Sequence, residues 1–264
     1  MKTQDVVGDK YKALEKVYRN KFESNKYLII RLDGKAFHSF TKGMKKPFDE
    51  RLYEIFKETL KYLCENVDGV KIGYYQSDEI SLVLFNDSPK INKQYWFDNK
   101  VEKILTIATS ICTAKFNSEY NKFGQFGAKE FGLFDARGFV IDTLDEVQEY
   151  LEWRVNDSIK NSVYLYAFDK VKENGNPTKA LMNKSVKEKI DLLKNEYGVD
   201  YYNFESKYRK GIFYSKEYTT FVVKKEQYPQ HLKEDKIVTR RKFKLHESFD
   251  EVADIVDHFR TKGE

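Results

Sequence analysis

The sequence predicts an α+β fold organised on a β-α-β-β-α-β core, the split order of ferredoxin-like domains. Three observations carry this reading. A nearly continuous apolar run covers residues 27–32, two long stretches repeat apolar residues at helical spacing, and two β-prone runs are joined by the polar turn Q-S-D-E at residues 76–79.

Residues 1–26 are polar and helical in character, with Tyr11, Leu14, Val17 and Tyr18 three and four apart. The run at 27–32 lacks the alternation of a half-exposed strand and reads as one covered on both faces. After an irregular segment with Gly43 and Pro47, the residues Leu52, Ile55, Phe56, Thr59, Leu60 and Leu63 share one face of an amphipathic helix. Residues 70–75 and 80–85 form the hairpin, and Val101, Ile104, Leu105, Ala108, Ile111 and Cys112 line a second long helix. Residues 131–141 are expected as a strand and 142–157 as a helix. Further on, a break at 173–178 precedes a helix over Val186–Tyr197 that Gly198 ends. Two basic strand-like runs, 219–225 and 236–245, then lead to a last helix with Ser248 and Glu251 at capping-box spacing. The predicted sheet sets the first strand antiparallel to the third, with two helices on one face. Residues 1–141 form the core with its N-terminal helix, and residues 142–264 a helical and basic β extension.

A chain of 264 residues with 41% apolar content can build a core without disulfides or metal staples. No apolar run approaches the ~20 residues of a membrane span and the N-terminus has no apolar h-region, so the expectation is a cytoplasmic protein with no membrane partner. Cys64 and Cys112 lack C-x-x-C spacing and are expected as buried thiols. Within residues 205–245 twelve Lys/Arg face five Asp/Glu, a local +7 (12 − 5) against +5 for the whole chain, so the positive surplus is C-terminal.

In the predicted sheet the end of the first strand and the hairpin turn lie on one edge, which makes Asp33 and Asp78 spatial neighbours. Two carboxylates at close range raise the pKa of one unless a cation intervenes. A pair of Mg²⁺ ions roughly 4 Å apart would keep both ionised and stabilise the attacking and leaving oxygens of an in-line displacement at phosphorus. Phosphoryl or nucleotidyl transfer is the leading reaction class. Taken separately, an Asp-Gly at a strand end and a Ser-Asp-Glu turn are ordinary turn chemistry; their joint placement is what points to function.

Gly34 allows close backbone approach, and the N–H groups after it can form a phosphate-binding nest, with Lys35 or His38 adding charge. A satisfied half-buried histidine is the alternative for His38. Lys46 and Arg51 flank Pro47 at the entry to a helix, where cations oppose the macrodipole; an anionic ligand and plain solvation account for them equally well. Lys224, Lys225, Arg240, Arg241, Lys242 and Lys244 could track phosphates on adjacent strands, or simply protect strand edges. Trp153 and Tyr164 are expected to pack rather than to stack on bases.

Residues 31–40 (R-L-D-G-K-A-F-H-S-F), 46–49 (K-P-F-D) and 73–83 (G-Y-Y-Q-S-D-E-I-S-L-V) resemble the signature of the tRNA-His guanylyltransferases and the related guanylyltransferase-like proteins. The likeness continues through residues 134–137, 153–157, Asn161, Tyr164 and 208–211. The resemblance implies a polymerase-like palm that extends the 5′ end of tRNA in the 3′-to-5′ direction, using two Mg²⁺ ions with ATP and GTP as substrates. It implies that Asp33, Asp78 and the Gly34 carbonyl hold the metals, that Glu79 supports them, and that Lys46 contacts the activated 5′ end. By the same likeness Lys35, Ala36, Phe37, His38 and Ser77 bind the nucleotide. Arg51, Asn161, Arg209, Lys210, Arg240, Arg241 and Lys242 are the expected RNA contacts. A homotetramer, as a dimer of dimers, is implied too, with Tyr95 and Trp96 as exposed interface aromatics.

Where the tRNA-His enzymes carry His-Ile-Asn-Asn, residues 159–162 read I-K-N-S. That departure favours a guanylyltransferase-like protein that restores 5′-truncated tRNA over one that adds a single G to tRNA-His. A palm-fold nucleotidyl cyclase and an RNA-binding module with an inactive palm are the remaining alternatives.

Overall fold

The computed structural model describes residues 5–85, 95–227, 230 and 234–257. Strands β1 (Tyr27–Gly34), β2 (Val70–Gln76), β3 (Glu79–Leu84), β4 (Phe134–Ile141), β5 (Ile212–Val223) and β6 (Lys236–His246) form one sheet in the order β4-β1-β3-β2-β5-β6. Every neighbouring pair is antiparallel, and β1 lies beside β3 as predicted. The helices are α1 (Val6–Val17), α2 (Phe37–Phe40), α3 (Glu50–Asn66), α4 (Val101–Lys122), α5 (Leu144–Glu173), α6 (Val186–Tyr197), α7 (Ser206–Lys210) and α8 (Val252–Asp257).

Helices α3 and α4 cover one face of the sheet, burying Leu28, Ile30, Leu32 and Leu82 against Phe56, Leu60, Cys112 and Phe116. The alternate residues Ile29, Ile72, Tyr74 and Val83 point the other way and are covered by α5 and α8. The sequence placed helices on one face only; the second layer comes from α5, and it explains why β2 and β3 are buried along their whole length. Each large apolar side chain so enclosed contributes about 1.5–3 kcal/mol. A third cluster packs the second half of α5 (Val163, Tyr166, Ala167, Val171) on Leu192 and Leu193 of α6 and on Tyr201.

Several bounds differ from the sequence reading. Thr143 and Glu146 cap α5 reciprocally, and the helix runs on to Glu173 rather than ending near residue 157. Its first half buries against the sheet and its second half against α6, so no single stripe persists. β4 begins at Phe134 because Gly132 is held outside the ladder by the Asn117 side chain, which accepts from its N–H and donates to its carbonyl. β5 begins at Ile212, where Ile212–Ser215 complete the β2 ladder. Past Ser215, β5 and β6 continue only with each other, as a two-stranded arm reaching Val223 and Lys236.

Helix α1 spans less than the polar N-terminal stretch suggested and buries none of its residues. Tyr95 and Trp96 are half-buried instead of exposed: the Tyr95 hydroxyl donates to Asn25 at 2.7 Å, and Trp96 packs on the α3–α4 core. Trp153 and Tyr164, expected to pack, are 51% and 45% exposed. Cys64 and Cys112 are buried as expected, and burial pushes both thiols upward. Among the described residues no helix is long and apolar enough to cross a membrane.

Candidate active site

At the end of β1, Asp33 stands opposite Glu79 in the β1–β3 register, and the Gly34 N–H donates to the Asp78 carbonyl at 3.0 Å. Ser77 makes the hairpin turn with a φ of 55°. Topology thus brings Asp33 and Asp78 together from distant parts of the chain. The Asp78 carboxyl is held above its ordinary value of 3.8, first by burial and then by the negative charge of Asp33, while Ser77 Oγ donates to it at 3.2 Å. Arg137 of β4 approaches Asp33 at 3.9 Å and Asp135 at 3.7 Å.

Glu79 has a different setting from the one its sequence neighbour suggests. Its carboxylate is buried between Arg154 of α5, at 3.0 Å, and Arg31, at 3.7 Å, and Arg154 also binds Asp157 at 2.6 Å. Burial raises the Glu79 pKa and the two arginines oppose that rise. Glu79 is therefore anchored behind the aspartate edge by a helix from the C-terminal half of the chain.

Beyond Gly34 the backbone turns sharply. Lys35 N–H donates to the Leu133 carbonyl at 2.8 Å, and Ala36 adopts the left-handed conformation (φ 53°, ψ 42°). The N–H groups of Ala36, Phe37 and His38 have no partner among the described residues, an arrangement suited to an anion. Gly34 is required here because a Cβ would lie 2.4 Å from the Phe37 ring. That ring is 3% exposed among Phe40, Phe56, Phe116 and Phe134, so the contact Phe37 can offer a phosphate is its backbone N–H. Lys35 and His38 are exposed, and His38 shares a hydrogen bond with Ser39.

The nest opens on a cavity of about 380 Å³ whose walls carry Lys46, Ser77, Asp78 and Lys207, with the rings of Tyr53, Tyr75 and Tyr208. Lys207 was not picked out in the sequence. It pairs with Glu50 at 2.9 Å and Glu205 at 3.2 Å and stands over Tyr53. Asp49 caps α3 and takes the guanidinium of Arg51, which also lies over Phe126, so Arg51 is already engaged. Asp33, Asp78 and backbone carbonyls are hard oxygen donors of the kind Mg²⁺ takes, and the raised Asp78 pKa marks a place where positive charge is wanted. Among the described residues no three acidic, His or Cys side chains gather as a cage. Mg²⁺ held by two carboxylates commonly completes its shell with substrate phosphates, so the residues present fit the ion.

The expected RNA contacts come from four elements, α3, α5, α7 and β6. Asn161 is exposed on α5, 3.5 Å from Asp157. Arg209 Nε donates to the Phe204 carbonyl, and Lys210 Nζ to the carbonyls of Phe249 and Asp250, so both brace α7 against its neighbours. Arg240, Arg241 and Lys242 lie on the β5–β6 arm, where Arg240 and Lys242 stand over Phe221 and Arg241 over Tyr218.

An antiparallel sheet with helices packed on it, offering two aspartates from a strand end and the adjoining hairpin, is a palm-like architecture. The family model described as tRNAHis guanylyltransferase matches residues 8–142, and the model of the Thg1 C-terminal domain matches residues 145–257. The chain belongs to the tRNAHis guanylyltransferase family. It is 30% identical to the tRNA(His) guanylyltransferase of Candida glabrata, over 74% of this chain and 86% of that protein. With a probable tRNA(His) guanylyltransferase of Drosophila melanogaster it shares 28% identity over 71% of this chain and 66% of the relative. Among solved structures, a bacterial tRNA(His) guanylyltransferase (Thg1)-like protein in complex with ATP superposes with a TM-score of 0.72 at 37% identity, covering 79% of this chain and 88% of that one. A bacterial Thg1-like protein in complex with GTP gives 0.71 at 29% identity, covering 97% and 100%.

Proposed function

We propose that this chain is a metal-dependent nucleotidyltransferase that extends the 5′ end of tRNA in the 3′-to-5′ direction. The observation that carries the proposal is the Asp33–Asp78 edge set beside a cation-walled cavity and a backbone nest. The RNA 5′-monophosphate first attacks the α-phosphorus of ATP, releasing pyrophosphate and leaving an adenylylated end; the 3′-hydroxyl of GTP then attacks the RNA 5′-phosphate and expels AMP. Two Mg²⁺ ions, held by Asp33, Asp78 and the Gly34 carbonyl, would supply neutralisation of charge at phosphorus. The N–H groups of Ala36, Phe37 and His38 orient the triphosphate, with Lys35 and Ser77 alongside. Lys46 faces the activated 5′ end from the cavity wall. Arg154 and Arg31 oppose the effect of burial on Glu79 and fix its side chain behind Asp33.

The ATP and GTP complexes of bacterial relatives support two nucleotide substrates. The I-K-N-S run at 159–162 favours repair of truncated tRNA, with the opposite strand of the acceptor stem choosing the incoming base by pairing while the protein reads an A-form backbone. The basic arm supplies phosphate contacts, and the exposed apolar side chains of α1 offer a surface for self-association, which we read as a homotetramer. With Mg²⁺, ATP and labelled GTP, the purified chain should extend a tRNA lacking its first nucleotide faster than it extends intact tRNA-His. Extension of tRNA-His alone would assign it to strict G addition, and no extension of any tRNA would reject the reading.

A further inference from the structure

On the α5 face of the sheet, along the edge strand β4 beside the aspartates, two aromatic rings stand exposed: Phe139 of β4 at 40% and Trp153 of α5 at 51%. Both lean on one buried ring. Tyr150 lies 5.6 Å from Phe139 and 5.9 Å from Trp153, and its hydroxyl is fixed by Ser81 at 2.8 Å. The Arg154 guanidinium stacks 4.2 Å from the Trp153 ring centre and is tied down by Glu79 and Asp157. Trp153 is thus braced while half of its surface stays open.

These rings connect to the site along β4. Asp135 is the register partner of Asp33, and Arg137 and Phe139 follow on the same face. At ~3.3 Å per residue, Phe139 lies about 13 Å from the edge. Arg137, 56% exposed, stands between them as a cation for an intervening phosphate. We propose that Phe139 and Trp153 clamp an unpaired base of the RNA substrate, a few nucleotides from its reacting end. The clamp rests on the RNA-directed reading above. Exposed Glu149 and Glu152 neighbour the rings on α5 and repel phosphate, so stacking rather than charge supplies the affinity here. Unpaired bases stack on aromatic planes irrespective of sequence, as template-directed work on many tRNAs demands.

The chain holds two tryptophans, so a Trp96→Phe variant reports Trp153 alone. Titration with a short unpaired RNA should quench its fluorescence. In extension assays Trp153→Leu should raise the KM for truncated tRNA about 5- to 50-fold, the range of one lost stacking contact. Trp153→Phe should stay within about twofold, the KM for GTP should not move, and the salt dependence of RNA binding should keep its slope. If wild type extends tRNA, yet the Trp96→Phe variant shows no quenching and the KM is unchanged in Trp153→Leu, the clamp is wrong and the enzymatic reading stands. If wild type extends nothing while quenching persists, the clamp survives and the enzymatic reading fails. A Trp153→Leu chain that changes mass by light scattering with KM unaltered would make the rings a contact between copies and overturn the clamp.

Discussion

Asp78 carries the strongest residue-level prediction. Because its folded pKa is raised, the folded chain binds a proton more tightly than the unfolded chain, and this group's contribution to stability is lost as pH rises from 3.8 through the raised value. Asp78→Asn should therefore raise the melting temperature of the metal-free chain at pH 7 while lowering extension on the order of 10²- to 10³-fold. In the wild type at limiting Mg²⁺, activity should fall on acidification at a pH above the ordinary aspartate range, and saturating Mg²⁺ should move that fall to lower pH, checked by pH–rate profiles at the two concentrations. Arg154→Met leaves the buried Glu79 carboxylate without its main partner and should cost about 3–5 kcal/mol in denaturant titration, with much of the loss recovered in the Glu79→Gln double variant. The neighbourhood of Asp33 and Asp78 was legible in the sequence because strand order alone dictates it. The partner of Glu79 was not, since Arg154 arrives on a helix whose path over the sheet no local pattern records.

At the level of elements, the junction of α7 and β5 is tightly specified. Gly211 has a φ of 77°, and a Cβ there would meet the Tyr75 carbonyl at 2.3 Å. Gly211→Ala should destabilise the chain by about 3 kcal/mol, from strain and clash together. The β5–β6 arm makes the opposite case, an exposed element whose charges are proposed to serve RNA binding. Replacing Arg240, Arg241 and Lys242 by Ala should leave the melting temperature nearly unchanged and reduce the slope of log affinity against log salt for tRNA by about 2 to 3. The amphipathic stripe of α3 and the capped span of α6 were readable because each buries one face. Helix α5 was cut short in the reading because it serves two cores with different faces. The start of β5 was hidden because Ile212–Ser215 pair with a strand far away in sequence.

For the whole molecule, the two family segments meet where α5 begins, yet β5 from the second pairs with β2 from the first, and α5 roofs the sheet that the first segment builds. A shared core of this kind should unfold as one unit, with far- and near-ultraviolet circular dichroism giving coincident transitions. The same continuity places Arg154 behind, and Lys207 beside, an edge whose aspartates come from the first segment. The central claim concerns what that edge holds. Crystals grown with Mn²⁺ and GTP and measured at the manganese absorption edge would show it directly. The account predicts anomalous peaks within bonding distance of the Asp33 and Asp78 carboxylates and in contact with the triphosphate. Bound GTP with no manganese at either aspartate would contradict it.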